Sequence, residues 1–173
     1  GSEYSNSVQQ TFDGGYISGG SWLIKTDFEG NEEWINEDIS SESIKQTSDD
    51  GFISIGTVQG DTGTNILLIK TDLQGNEEWS RTIGGVGYEN GYDVDLTNDG
   101  GYILTGSTVH TSSSELNTYL VKTDSQGNVE WENNFGGVSR NKGLSVKSLI
   151  NGGYIVVGMI KTFGVDDDVY ILK

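Results

Sequence analysis

No cysteine and no proline occur among the 173 residues of this chain, and His110 is its only histidine. Without cysteine, the chain forms no disulfide bond and supplies no thiol nucleophile. With one histidine, it cannot build a catalytic or metal-binding pair of imidazoles. No apolar run approaches the roughly 18 residues that a membrane-spanning helix needs, so we expect no membrane insertion.

Positive charge is scarce as well. Lys and Arg together number 10 against 26 Asp and Glu, which gives a formal net charge of -16. A surface of this charge repels phosphate groups and anionic membranes. We therefore expect no nucleic-acid partner.

Glycine and aromatic residues are plentiful in contrast, with 26 Gly and 10% Phe, Trp and Tyr. Together with the lack of proline, this composition is typical of many short strands joined by tight turns. The length suits one domain with a sizeable core. The start at Gly1 and Ser2, without Met or a signal peptide, indicates a mature or trimmed domain.

Two phrases recur along the chain at intervals of about 45 to 52 residues, which is the period of a four-stranded propeller blade. The first phrase is KTDFEGNEEW at 25–34, KTDLQGNEEW at 70–79 and KTDSQGNVEW at 122–131. The second phrase precedes it and is FDGGYISGG at 12–20, DDGFISIG at 49–56, NDGGYILTG at 98–106 and INGGYIVVG at 150–158.

These repeats predict an all-β fold, a single β-propeller domain over residues 1–173 built from four units of four antiparallel strands. The units cover approximately residues 3–39, 40–84, 85–136 and 137–173. The last unit ends at Lys173, the position that precedes the turn and the Trp strand in the other units. We therefore expect this unit to lack its outermost strand and to favour self-association through its exposed edge.

Asp and Gly hold fixed places in the first phrase, and we interpret them as turn residues. The Asp side chain can accept hydrogen bonds from backbone amides further along the turn, and Gly adopts the positive φ that closes it. Calcium binding is the alternative for the Asp residues, but a calcium loop needs about six or seven oxygen ligands and this motif offers one carboxylate. The turn residues are Asp27, Gly30, Asp72, Gly75, Asp124 and Gly127.

Trp34, Trp79 and Trp131 each fall seven residues after the turn Asp, on the predicted outermost strand of three successive units. A large flat side chain at one place per repeat predicts docking between neighbouring units, with the indole N–H meeting a backbone carbonyl of the next unit. A stacking platform for sugars or bases is the alternative. The spacing follows the repeat and not a single cleft, which favours docking.

The series of strand, Asp, Gly and Trp resembles the tryptophan-docking repeat of the quinoprotein-type β-propellers. The phrases DGGYILTG and LVKTDSQGN with VEW resemble a repeat common in bacterial and archaeal surface proteins. The resemblance implies a propeller and, with the acidity and the absent cysteines, an extracellular or cell-surface location. Unlike the quinoprotein enzymes, the chain has few units, no adjacent cysteine pair and no basic cluster for an anionic quinone, so we expect no cofactor.

The segments between the second and third strands differ among the units, and in a propeller they share one rim with the connections between units. The fixed turns lie on the opposite rim, so we expect recognition at the variable rim. Asp166, Asp167 and Asp168 are its densest carboxylate cluster, either a solvated charge run or a weak calcium site. The candidate binding residues are Asp61, Asn65, His110, Glu115, Asn117, Asp166, Asp167 and Asp168.

Three functions remain open at this point. The preferred one is a non-catalytic binding or interaction module of a secreted or cell-surface microbial protein, with a protein or a polysaccharide as its partner. The second is a carbohydrate-active enzyme that uses two facing carboxylates, for which the sequence singles out no catalytic pair. The third is a structural spacer or assembly unit without a small ligand.

Overall fold

The computed structural model describes residues 3–110, 115–137, 140–161 and 168–173, except for the side chain of His110. All regular structure in these ranges is β-strand, which confirms the all-β expectation. The strands are β1 (Ser5–Gln10), β2 (Tyr16–Gly20), β3 (Leu23–Thr26), β4 (Glu32–Asn36), β5 (Ser43–Gln46), β6 (Phe52–Gly60), β7 (Gly63–Thr71), β8 (Glu77–Ile83), β9 (Gly87–Leu96), β10 (Tyr102–His110), β11 (Asn117–Thr123), β12 (Val129–Phe135), β13 (Arg140–Ser148), β14 (Tyr154–Lys161) and β15 (Asp168–Leu172).

Consecutive strands pair antiparallel in four meanders, which we call units 1 to 4. Unit 1 comprises β1–β4, unit 2 β5–β8, unit 3 β9–β12 and unit 4 β13–β15. One parallel residue pair, Thr64 with Tyr88, joins β7 to β9, so units 2 and 3 form an eight-stranded sheet beside two smaller sheets. The pairing among the described residues therefore gives three sheets, and it does not close them into a ring.

The hairpin between the third and fourth strands of units 1, 2 and 3 is held by its Asp. In unit 2, the Oδ1 atom of Asp72 accepts hydrogen bonds from the backbone amides of Gln74 and Asn76, each at 2.9 Å. The side-chain amide of Asn76 donates to the other carboxylate oxygen at 2.9 Å. Asp27 and Asp124 make the same set of bonds in units 1 and 3. Donors of the turn itself therefore occupy these carboxylates.

The first strands of successive units lie side by side, β1 against β5, β5 against β9 and β9 against β13. Side chains of one strand bond to the backbone of the next. Gln9 Oε1 accepts from the Gln46 amide at 3.0 Å, and Asp95 Oδ2 accepts from the Ser148 amide at 2.9 Å. The units are thus joined by hydrogen bonds that do not belong to any sheet.

The apolar core lies between units and not within them. Its three buried clusters join units 1 and 2 around Ile17, Leu23 and Phe52, units 2 and 3 around Ile55, Leu68 and Leu104, and units 3 and 4 around Ile103, Leu120 and Val156. A meander has two faces and no second layer of its own, so each unit can bury its apolar side chains only against a neighbour.

One Trp packs at each of these junctions. The ring centroids of Trp34 and Phe52 lie 6.0 Å apart, those of Trp79 and Tyr102 6.1 Å, and those of Trp131 and Tyr154 5.7 Å. Trp34 also donates its indole N–H to the carbonyl oxygen of Leu73 in the unit 2 hairpin, at 3.2 Å.

The Trp ring also lies over the hairpin Gly of the following unit. A Cβ atom added at Gly75 would lie 2.7 Å from a ring carbon of Trp34, and one at Gly127 would lie 2.6 Å from a ring carbon of Trp79. Gly30, the equivalent residue of unit 1, has no atom within 4 Å of that position. Glycine is thus required at positions 75 and 127 for two reasons, the positive φ and the close approach of a Trp ring. At Gly30 only the positive φ requires it.

In unit 2 the strands reach further than we expected. The variable stretch from Val58 to Asn65 is mostly paired strand, because β6 and β7 continue to the pair Gly60 and Gly63. The absence of a side chain at Gly63 permits its close approach to the carbonyl oxygen of Gly87 in unit 3. This part of the variable rim is therefore a tight hairpin and not an open loop.

Replacing the hairpin Gly separates the two roles. Gly30→Ala and Gly127→Ala each place a side chain at positive φ, 87° and 78°, which costs about 1–2 kcal/mol. We expect Gly127→Ala to cost measurably more, because its Cβ must displace the Trp79 ring. Urea denaturation of both variants measures the difference. Equal losses would show that the Trp79 contact contributes nothing to stability.

Replacing the Trp itself should destabilise the protein more than replacing the hairpin Gly. Trp79→Ala opens the junction between units 2 and 3, and we expect it to lower the free energy of unfolding by about 3–5 kcal/mol. Phe28→Ala is the control, since Phe28 is an aromatic residue that stays 69% exposed in the unit 1 hairpin. A loss for Trp79→Ala as small as that of the control would contradict the docking interpretation.

Candidate functional site

A buried lysine with two carboxylate partners recurs in units 1, 2 and 3. Lys25, Lys70 and Lys122 are 1%, 4% and 2% exposed, which is exceptional for lysine. Each ammonium group donates to the carbonyl oxygen of the next residue and binds two carboxylates. In unit 2 these carboxylates are Asp49 at 3.0 Å and Glu78 at 2.9 Å.

Three different elements supply each cluster. Lys comes from the third strand of the unit, Asp from the turn between the first and second strands, and Glu from the fourth strand, directly before Trp. The equivalent partners are Asp13 and Glu33 for Lys25, at 2.8 and 2.7 Å, and Asp99 and Glu130 for Lys122, at 2.9 and 2.8 Å. One ammonium ion therefore ties two strands and a turn together.

Several groups of the clusters have pKa values shifted towards the charged form. Burial lowers the pKa of Lys25, but its hydrogen bonds to Asp13 and Glu33 outweigh that effect and the pKa is raised. Hydrogen bonds from Lys25, Thr11 and the Gly15 amide lower the pKa of Asp13 to about 2. At Asp99, hydrogen bonds from Thr97 and then Lys122 lower the pKa of the carboxyl well below its usual range.

A cavity of about 390 Å³ opens beside the cluster of unit 2, at the junction with unit 3. Its lining includes Asp49, Lys70, Glu78, Trp79 and Tyr102, so two carboxylates and two aromatic rings meet there. Burial and the nearby carboxylates raise the pKa of Tyr102 to about 12. This composition resembles a sugar-binding cleft, but the ion cluster at its base has equivalents in units 1 and 3 and therefore follows the repeat.

Most of the binding residues that we predicted from the sequence lie apart from this cavity. Asp61 is exposed at the tip of the β6–β7 hairpin, Glu115 is exposed before β11, and Asp168 is exposed at the start of β15. The side chain of His110 and all of Asp166 and Asp167 fall outside the described residues.

Asn65 and Asn117 occupy equivalent places and face the connection to the next unit. A Cβ added at Gly84 would lie 2.5 Å from Asn65 Oδ1, and one at Gly136 would lie 2.0 Å from Asn117 Oδ1. Both side chains therefore pack against the backbone between units. None of the predicted binding residues that the structure describes lines the cavity beside the unit 2 cluster.

The described residues contain no group of three His, Cys, Asp or Glu side chains placed to hold a metal ion. Because Asp166 and Asp167 lie outside those residues, calcium binding at Asp166–Asp168 stays a prediction. The same ranges contain no helix long and apolar enough to cross a membrane.

A second pocket, which the sequence analysis missed, lies at the variable rim. Arg140, Lys142, Met159 and Lys161 line it together with Leu116, and its volume is about 170 Å³. Arg140 pairs with Lys161, and Lys142 with Met159, so these four side chains share one face of the β13–β14 pair.

The cationic pocket continues towards the neighbouring unit. The Lys142 ammonium lies 5.6 Å from the ring centroid of Tyr92 on β9, a cation–π contact that orients the lysine. The signal in the sequence was the spacing Arg140, Lys142 and Lys161 within a chain that has so few basic residues. This spacing indicates a pocket only when the β13–β14 register, which places Arg140 opposite Lys161, is known.

No family model matches the chain, and no curated protein matches it either.

The pKa of Asp13 generates a prediction about acid stability. A carboxyl whose pKa is lowered on folding contributes stability above its ordinary value near 4, and that contribution is lost as the pH falls towards about 2. We expect Asp13→Asn to be less stable than the parent by a constant amount from about pH 5 to 7, with the gap closing towards about pH 2. Urea denaturation across this pH series measures it.

Asp61→Asn is the matched control, because Asp61 lies exposed at a hairpin tip. The difference in stability between this variant and the parent should be small at every pH. A gap for Asp13→Asn that stays constant down to pH 2 would contradict the ion-cluster account.

Proposed function

We propose that this chain is a non-catalytic binding module of a secreted or cell-surface microbial protein, built from β-propeller units, whose variable rim holds an anionic ligand. One observation carries the proposal. Arg140, Lys142 and Lys161 line a single pocket in a chain whose formal net charge is -16. Three of the 10 basic residues of the chain therefore meet at one pocket.

The propeller arrangement has support from the first strands of the units. A cavity of about 260 Å³ is lined by residues of the first strand of every unit, among them Ser7, Ser43, Asp93 and Ser145. In a propeller, the first strands of all blades surround a central channel in this way. The cores between units and the stacking of each unit on the next agree with the same arrangement.

The lining of the pocket indicates what class of ligand fits. Leu116 and Met159 give it apolar walls, and Arg140, Lys142 and Lys161 supply donors to a carboxylate or sulfate. The pocket is small and lies at a rim, so it suits one charged group of a long polymer better than a whole small molecule. An acidic polysaccharide, which carries such groups at intervals, is the polymer that fits best. The extracellular location rests on the repeat resemblance and on the acidity of the chain.

The alternative of a carbohydrate-active enzyme has weaker support. Its best carboxylate pair among the described residues is Asp49 and Glu78, beside Trp79. A glycosidase acid needs a raised pKa. Burial acts to raise the pKa of Asp49, but hydrogen bonds from Thr47 and Lys70 prevail and lower it. The same ion cluster in units 1 and 3 favours a structural role.

Binding to acidic polysaccharides tests the proposal. We expect the chain to bind a carboxylated or sulfated polysaccharide at low salt, and the affinity to fall as salt screens the charges. The double variant Arg140→Gln with Lys142→Gln should weaken binding at least about tenfold, since each charged contact removed costs on the order of 1 kcal/mol or more. Isothermal titration calorimetry measures the affinity, and a reducing-end assay on the same mixtures measures hydrolysis.

Lys45→Gln is the control, because Lys45 lines the cavity between the first strands and not the rim pocket. Equal losses for the control and the double variant would refute the rim site. Failure to bind any acidic polymer would favour the spacer function, and steady release of reducing ends would favour the enzyme.

A further inference from the structure

Every junction between units joins two different faces. The junction between units 2 and 3 is an example. Unit 2 contributes what we call a leaving face, made of Ile55, Ile66 and Leu68, with Trp79 beside them. Unit 3 contributes a receiving face, made of Val94, Tyr102, Leu104 and Val121. Side chains of both faces are buried in one cluster, so a leaving face and a receiving face are complementary in shape and chemistry.

Unit 4 exposes its leaving face. The strand registers place Val157, Val169 and Ile171 at the positions that Ile55, Ile66 and Leu68 hold in unit 2. The residues of unit 2 are fully buried, whereas Val157 is 39%, Val169 82% and Ile171 65% exposed. The contiguous apolar surface of these strands therefore has no cover among the described residues.

Unit 1 exposes its receiving face. Val8 and Tyr16 correspond by register to Val94 and Tyr102 of unit 3. Val94 and Tyr102 are buried at 0% and 4%, whereas Val8 is 69% and Tyr16 40% exposed. Around Gly30, the open space found in unit 1 is the space that a docked Trp fills at Gly75 and Gly127.

We propose that a second copy of this chain covers these faces, with the leaving face of unit 4 in one copy packed on the receiving face of unit 1 in the other. The junctions between units within one chain support this contact, because each of them buries the same two kinds of face against each other. Contiguous exposed apolar surfaces mark interaction sites. Since the faces lie at opposite ends of the series of units, the contact is head-to-tail, and it builds a closed pair or an open chain of copies.

This contact differs from the edge pairing expected from the sequence. Pairing of β15 with β15 of another copy would join two equal edges, whereas head-to-tail packing joins two unequal faces. The charge of the chain opposes either contact, because each copy carries a formal charge of -16. Salt screens that repulsion and strengthens apolar burial, so association through the faces should increase with ionic strength.

Charged substitutions on each face test the proposal. Ile171→Lys disables the leaving face and Val8→Lys the receiving face, and both residues are exposed, so the units themselves should still fold. Sedimentation velocity across a concentration series measures the mass of each variant, and circular dichroism melts confirm folding. Val86→Lys is the control, since Val86 is 61% exposed in the connection between units 2 and 3.

Head-to-tail packing predicts a distinctive result on mixing. The parent chain and Val86→Lys should associate, and each single face variant alone should be a monomer at concentrations at least about tenfold higher. An equal mixture of Ile171→Lys and Val8→Lys should form a heterodimer, because one intact leaving face then meets one intact receiving face. A parent chain that stays monomeric at high salt would overturn the proposal. So would a mixture that stays monomeric, or a Val8→Lys variant that still self-associates.

Discussion

Each unit of this protein has apolar faces that it cannot bury by itself, and the rest of the structure depends on that constraint. The meander brings strands together through backbone hydrogen bonds, but it leaves side chains such as Leu68 and Leu104 without a second layer. The neighbouring unit supplies that layer. Stability in such an array is the sum of weak units and strong interfaces, so the residues that recur in the sequence repeat serve to build interfaces.

Two devices fix the interfaces between units 1 and 2 and between units 2 and 3. The indole of a Trp enters the next unit over a Gly, and the Lys cluster holds the strand that carries this Trp to the rest of its own unit. Lys70 binds Glu78, which directly precedes Trp79, so the ammonium ion positions the docking strand. A buried charge of this kind is tolerated because two carboxylates and a carbonyl oxygen replace its water.

The sequence predicted the elements whose signals are local. The period of the repeats predicted the strands, and the Asp and Gly of KTDLQGNEEW predicted the hairpin that Asp72 and Gly75 form. It did not predict the partners of Lys70, because Asp49 and Glu78 meet it only through strand register. The cationic pocket was missed for the same reason, since Arg140 and Lys161 lie opposite each other only in the β13–β14 pair.

Hydrogen exchange of the backbone amides tests most directly the claim that the units are stabilised by their neighbours. Units 2 and 3 are packed on both faces, whereas units 1 and 4 each leave one face exposed. Under conditions that keep the chain monomeric, we expect amides of β6, β7, β10 and β11 to exchange most slowly, and those of β1, β2, β14 and β15 to exchange earlier through local opening. Equal protection across all four units, or greatest protection in unit 1, would contradict the account.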